Sequence, residues 1–170
     1  MRFMMLVKSD AKAEAGVLPD AKMLADMGKY NDAIQKAGVM LAADGLKESA
    51  HGARVRYARG EFSVKEGPFP EPKDLSAGYW LIQVKSKEEA IDWAKRVPFQ
   101  DGEIELRPLF ELQDFAVDPA EKEDGWREKE QQMRDAPPIA RKPGTRRFIG
   151  LLKADEDTEA GVMPDEKLLT

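Results

Sequence analysis

The chain has 170 residues, 42% of them hydrophobic and 35% charged, with a formal net charge of −5 and no cysteine. That length buries one ordinary core under a highly charged surface. The acidic balance argues against nucleic acid as a partner, and the missing thiols exclude disulfides, thiolate metal sites and a cysteine nucleophile.

From the N-terminus, Phe3 to Val7 is a short apolar run broken at Lys8. No small-residue cleavage site follows, so it reads as a central strand rather than a secretory signal; no membrane span is expected, and the cytoplasm is the expected compartment. After a loop carrying Gly16, Pro19 is expected in the first turn of a helix. Met23, Met27, Tyr30 and Ile34 form its inner face, and Gly38 suits a left-handed C-terminal cap. Val39 to Ala43 reads as a second strand. Arg54–Tyr57 and Phe62–Lys65 predict a hairpin across Arg59-Gly60, where Gly60 supplies the positive φ.

Beyond a proline-rich loop, Tyr79 to Val84 is the most strand-like segment and should be central. Ser86 and Glu89 form a capping box for a helix that buries Ala90, Ile91, Ala94 and Val97 and ends at Pro98. Ile104 to Leu112 is a last strand, with Pro108 placing it at an edge or marking a bulge. This order predicts an α+β ferredoxin-like sandwich with an inserted β-hairpin and both helices on one sheet face. The other face is too apolar to stay in water, so a homodimer that stacks two such faces is expected.

The chain also repeats itself. Residues 2–25 align without a gap on residues 147–170, with thirteen identities in 24 positions at an offset of 145. Such an offset signals a tandem architecture. The expected organisation is a domain over residues 1–117, a charged helical linker over 118–145 and the truncated start of a second copy over 146–170. In the linker, Glu121 to Arg134 reads as a polar helix with a Glu130–Arg134 pair, able to dock through Trp126 and ended by Pro137 and Pro138. Arg147 to Lys153, a copy of the first strand, is expected to add to a sheet edge, in its own domain or by exchange with the other subunit, and Pro164 to Thr170 to form at most a frayed turn.

Candidate chemistry gathers at the loop from Glu66 to Lys73. Glu66, Glu71 and Lys73 sit in a stretch stiffened by Pro68, Pro70 and Pro72. Prolines fix the backbone and a neighbouring ammonium tunes a carboxylate, so the loop fits an acid–base or binding element converging with Arg54. It fits equally a surface turn with a solvated ion pair. Arg54 and Arg56 alternate with Val55 and Tyr57, which puts both arginines on one side of the hairpin, where they could hold a carboxylate or simply face water. Asp44, Tyr30 and Trp80 complete the proposed pocket, with Glu66, Glu71 and Asp44 as acid–base groups; the two aromatics fit a core role as well. His51, the one histidine, has the pKa for proton transfer but lies in a loop. No metal or other cofactor is expected, since neither ligand spacing nor a nucleotide motif is present.

The segment EGPFPEPKDLSAGYW at 66–80 resembles the signature of the YCII-related family, specifically its DGPF subgroup. AGVMLAADGL at 37–46, GARVRY at 52–57, SKEEAIDWAKRVP at 86–98 and GEIELRPLFELQDF at 102–115 fall in that family's order, so the resemblance spans about 115 residues, near the common size of one domain. Glu66 stands where the signature has Asp, and Asp44 where Glu is common. The resemblance implies a dimeric α+β barrel built on the ferredoxin-like fold, with tandem duplication known in the group. It implies no single activity: some DGPF proteins are encoded beside sigma factors, and the wider group includes a dehydrochlorinase-like lyase. The His–Asp pair suspected there has no counterpart at His51. Two functions follow as expectations: a small-molecule-binding protein or lyase/isomerase-like enzyme using carboxylate acid–base chemistry, or a non-catalytic regulatory or interaction module.

Overall fold

The computed structural model describes residues 1–114, 126–137 and 142–161. The chain divides into two compact units, Met1–Glu111 and Leu112–Thr170.

In the first unit, β1 (Arg2–Lys8) is followed by a short helix α1 (Ala11–Glu14) that the sequence reading left inside a loop. Its N-cap is Asp10, whose carboxylate accepts from the Ala13 amide at 2.7 Å. Helix α2 (Ala21–Lys36) is capped by Asp20, which accepts from the Met23 amide at 2.7 Å. Pro19 therefore lies just ahead of the cap rather than in the first turn, because an acceptor side chain satisfies the orphan amides better than a missing donor does. At the other end Gly38 takes a φ of 67°. The Val39 amide then reaches the Ile34 carbonyl at 3.1 Å and the Gly38 amide the Gln35 carbonyl at 2.9 Å, a paired C-terminal closure in which buried Ile34 and Val39 join the core.

Strand β2 (Met40–Gly45) runs to the hairpin of β3 (Ala53–Ala58) and β4 (Glu61–Glu66), which forms a two-stranded sheet of its own. Both turn residues are left-handed, Arg59 at φ 55° and Gly60 at 82°, so Arg59 shares the conformation assigned from sequence to Gly60 alone. Strand β5 (Ser76–Gln83) starts three residues ahead of the expected Tyr79. Helix α3 (Lys87–Lys95) is capped by Ser86, whose hydroxyl accepts from the Glu89 amide at 3.2 Å, while the Glu89 carboxylate reaches back to the Lys85 amide at 2.8 Å. Strand β6 (Ile104–Pro108) stops at Pro108, short of the expected Leu112. Pro108 has no amide to extend the ladder.

The main sheet has the order β2-β5-β1-β6, every pair antiparallel. This mixed α+β arrangement, with β1 and β5 central and β6 at an edge, is consistent with a ferredoxin-like fold. Register decides the faces: Phe3 sits opposite Ile82 and Met5 opposite Trp80, all buried with Tyr30, Ile34, Ala90 and Trp93 from the helices. Met4 opposite Leu81 and Leu6 opposite Tyr79 form the outer face, each half-buried.

The second unit contains α4 (Trp126–Asp135) and α5 (Glu156–Glu159). Arg134 donates to Glu130 at 2.9 Å, the pair expected of the polar helix. The expected helical residues 121–125 and the expected turn at 164–170 lie outside the described residues, as does the side chain of Trp126. Residues 147–153 take no strand conformation, so they add to no sheet within this chain. No helix among the described residues is long and apolar enough to cross a membrane.

Candidate functional site

The sheet ends unevenly. Where β1 and β2 finish, β5 begins and α2 starts, the layers part into an open cleft of about 1210 Å³. Its apolar surface comes from Met23 and Met27 on α2, Trp80 on β5 and Phe99 after α3. These side chains point there because α2 presents them at helical spacing and the pleat turns Trp80 toward the helices.

Two polar positions in the cleft are held by their neighbours. The Trp80 indole N–H donates to Asn31 Oδ1 at 2.9 Å, which fixes the carboxamide and leaves its two N–H donors with no acceptor among the described residues. Asp44, which lines the cleft at the end of β2, accepts from the Tyr79 hydroxyl at 3.3 Å on the outer sheet face that register assigns to both side chains. Asp10, Asp20, Asp101 and Glu103 add further negative charge against Lys8 and Lys12. Lys8 is itself ion-paired with Glu105, and that ammonium together with Arg107 keeps the Glu105 carboxyl below its ordinary value. The cleft is thus apolar within and acidic around it.

Ser9 closes one side. It is buried, its amide donates to the Leu75 carbonyl at 2.9 Å, and its hydroxyl donates to Glu14 Oε1 at 3.2 Å. Glu14 Oε2 also accepts from the Ser49 amide at 3.0 Å, and Ser49 Oγ accepts from the Phe69 amide at 3.0 Å. One carboxylate therefore ties the end of β1 to the turn before the hairpin, and the Ser49 hydroxyl ties that turn to the proline-rich loop.

That loop packs rather than opens. A Cβ on Gly67 would stand 1.8 Å from the Ser49 carbonyl oxygen, so the backbone approaches where only glycine fits. Phe69 is buried and the Arg54 guanidinium lies 4.0 Å over its ring.

The residues singled out in the sequence separate accordingly. Asp44 and Trp80 line the cleft. Tyr30 lies within the core, its ring edge-on to Trp80 at 5.6 Å and its hydroxyl donating to the Trp93 carbonyl at 3.2 Å; burial pushes its pKa up to about 12. Arg54 is engaged with Phe69, while Glu66 and Glu71 are exposed and do not line the cleft. Glu66, Glu71 and Arg54 are not among the residues that line this cleft, and the side chain of Lys73 lies outside the described residues. His51 is exposed and pairs with Glu48 at 2.9 Å; the Glu48 carboxyl is held low by its own backbone amide and by His51. Ser9, Glu14, Asn31 and Tyr79 were not singled out. Only the Asp10 cap signal near Ser9 and Glu14 could have drawn attention to any of them. No group of three or more potential metal-ligating residues occurs among the described residues.

Fold and cleft together define a mixed α+β domain with an antiparallel four-stranded sheet, an inserted hairpin and a ligand-sized opening at the sheet's end. Residues 1–113 match the YCII-related domain, and the chain belongs to the YCII-related family. It is also similar to an uncharacterized protein of Rhizobium meliloti (strain 1021), with 30% identity over 93 residues, covering 53% of this chain and 75% of that protein.

Proposed function

We propose that the sheet-end cleft binds a small molecule with an apolar body and a neutral or cationic polar group, and that Asp44 is its acid–base residue. The observation that carries this reading is the cleft itself: roomy enough for a ligand, apolar within, furnished with a fixed carboxamide at Asn31 and bordered by Asp44 at the end of β2. A ligand's hydrogen-bond acceptor would meet the Asn31 N–H groups, while a donor or cationic group would meet Asp44. Proton transfer at such a site supports a lyase or isomerase reaction class. The test is a thermal-shift screen of compounds grouped by charge. Stabilisers should fall among the neutral and cationic apolar compounds and lose their effect in Asp44→Asn and Asn31→Ala. Stabilisation confined to anions, or unchanged in both variants, would overturn the reading.

The glycine-dependent packing of the Glu66–Phe69 loop supports placement in the DGPF subgroup, and the half-buried apolar outer sheet face supports a dimer that covers it. The echo of residues 2–16 at 147–161 supports a tandem arrangement in which a second copy begins after the linker. A second reading, an interaction module without catalysis, is favoured by one observation, the apolar hairpin face left in solvent.

A further inference from the structure

The hairpin β3–β4 is joined to the domain at its base and bare everywhere else. Its base is secured by the Gly67 amide donating to the Gly52 carbonyl at 3.0 Å and by Phe69 beneath Arg54. Register separates its two faces: Arg54 lies opposite Lys65 and Arg56 opposite Ser63, whereas Val55 lies opposite Val64 and Tyr57 opposite Phe62. The second face continues to Ala53 opposite Glu66 at its base; beyond that pair its four side chains are apolar apart from one phenol and exposed: Tyr57 at 76%, Phe62 at 71%, Val64 at 56% and Val55 at 49%. A two-stranded hairpin alone is marginal in water. Four neighbouring apolar side chains exposing on the order of 500 Å² are also at the upper range of what a monomer leaves uncovered. Both facts call for a partner surface.

We propose that this hairpin is a dimerisation arm whose Val55, Tyr57, Phe62 and Val64 face closes on a second copy of the chain. The inference rests on the dimer in the reading above. Area selects the second copy over an unrelated protein. One arm offers less than the roughly 800 Å² per partner of an ordinary stable complex, whereas a two-fold axis makes each copy both give an arm and receive one. The same chain also carries an outer sheet face of Met4, Leu6 and Leu81 that needs cover, so the arm adds to a contact the dimer already requires.

Sedimentation equilibrium over nanomolar to micromolar concentrations tests this on the full chain and on the Tyr57→Ser/Phe62→Ser variant. Both positions are solvent-exposed, so the monomer fold should persist, and an unchanged far-UV spectrum checks it. The full chain should be dimeric and the variant's dissociation constant at least tenfold higher. A wild-type dimer with an unaltered constant in the variant would overturn the arm while leaving the dimer standing; a wild-type monomer at every concentration would overturn both. Amide hydrogen exchange gives a readout independent of the variant: Val55–Val64 should be better protected above the dissociation constant than below it. Protection that does not depend on concentration, or that arises only on adding a different protein, would also contradict the proposal.

Discussion

Residues 2–16 and 147–161 are two copies of one stretch of sequence, and they share their N-cap, short helix and closing glycine but differ in their long-range pairing. Asp10 caps Ala11–Glu14 and Asp155 caps Glu156–Glu159, each closing on an alanine and then on a glycine with a positive φ, 72° at Gly16 and 77° at Gly161. Yet Arg2–Lys8 is a central strand whose Phe3 is 1% exposed, whereas 147–153 is irregular and its Phe148 is 80% exposed. A cap joins atoms three residues apart, so the sequence carries it wherever it goes. A strand satisfies its backbone through neighbours that other segments supply, and β1 has them in β5 and β6. The first copy can wall a cleft because long-range pairing fixes Lys8, Ser9 and Asp10 in place.

The comparison breaks most visibly in the two phenylalanines. Phe3→Ala should cost about 3–5 kcal/mol in urea unfolding, as for an aromatic removed from a packed core. Phe148→Ala should stay within about 0.5 kcal/mol. A substantial loss at Phe148 would mean that the second copy is packed after all.

The next effect is electrostatic and belongs to the core that the first copy joins. The Tyr30 pKa lies above its unfolded value near 10, so the folded state holds the proton more tightly. Its contribution is fully present below pH 10 and lost as the pH rises through about 12, a change of about 2–3 kcal/mol. Urea melts of wild type and Tyr30→Phe between pH 9 and 12 should converge as the phenol ionises; parallel curves would contradict its burial.

Gly67→Ala should cost about 1–3 kcal/mol, because the added methyl must displace the Ser49 carbonyl or the loop itself. The loss should appear in unfolding of the whole first unit. The smallest effect separates the copies by range alone. Asp10→Ala should lower first-unit stability by about 1 kcal/mol, whereas Asp155→Ala should leave that transition unmoved and reduce only the local helical signal of Glu156–Glu159, read by amide chemical shifts.

The same division between near and far explains what could be read from the sequence. Periodicity and capping signals placed β1, α2, the hairpin and α3, since each signal lies within a few residues of the structure it specifies. Strand limits were less legible. β5 begins at Ser76 because Ser76 pairs with Lys8 and Gly78 with Val7 and Gly45, and a Cβ on Gly78 would meet the Asp44 carbonyl oxygen at 3.1 Å, which no propensity records. Of the residues that line the candidate cleft, Asp44 and Trp80 were legible as candidates. Composition drew attention to Glu66, Glu71 and Lys73, which lie in one short loop of the chain. The cleft instead draws Ser9, Asn31, Asp44, Trp80 and Glu103 from separate segments, and only the β2-β5-β1 register brings them together.

A crystal structure of the full chain soaked with the strongest stabiliser from the charge-sorted screen tests the central claim most directly. The account predicts ligand density in the sheet-end cleft, with the molecule's polar group within hydrogen-bond distance of the Asn31 carboxamide or the Asp44 carboxylate. Density on the Glu66–Glu71 loop, with the cleft empty, would contradict it.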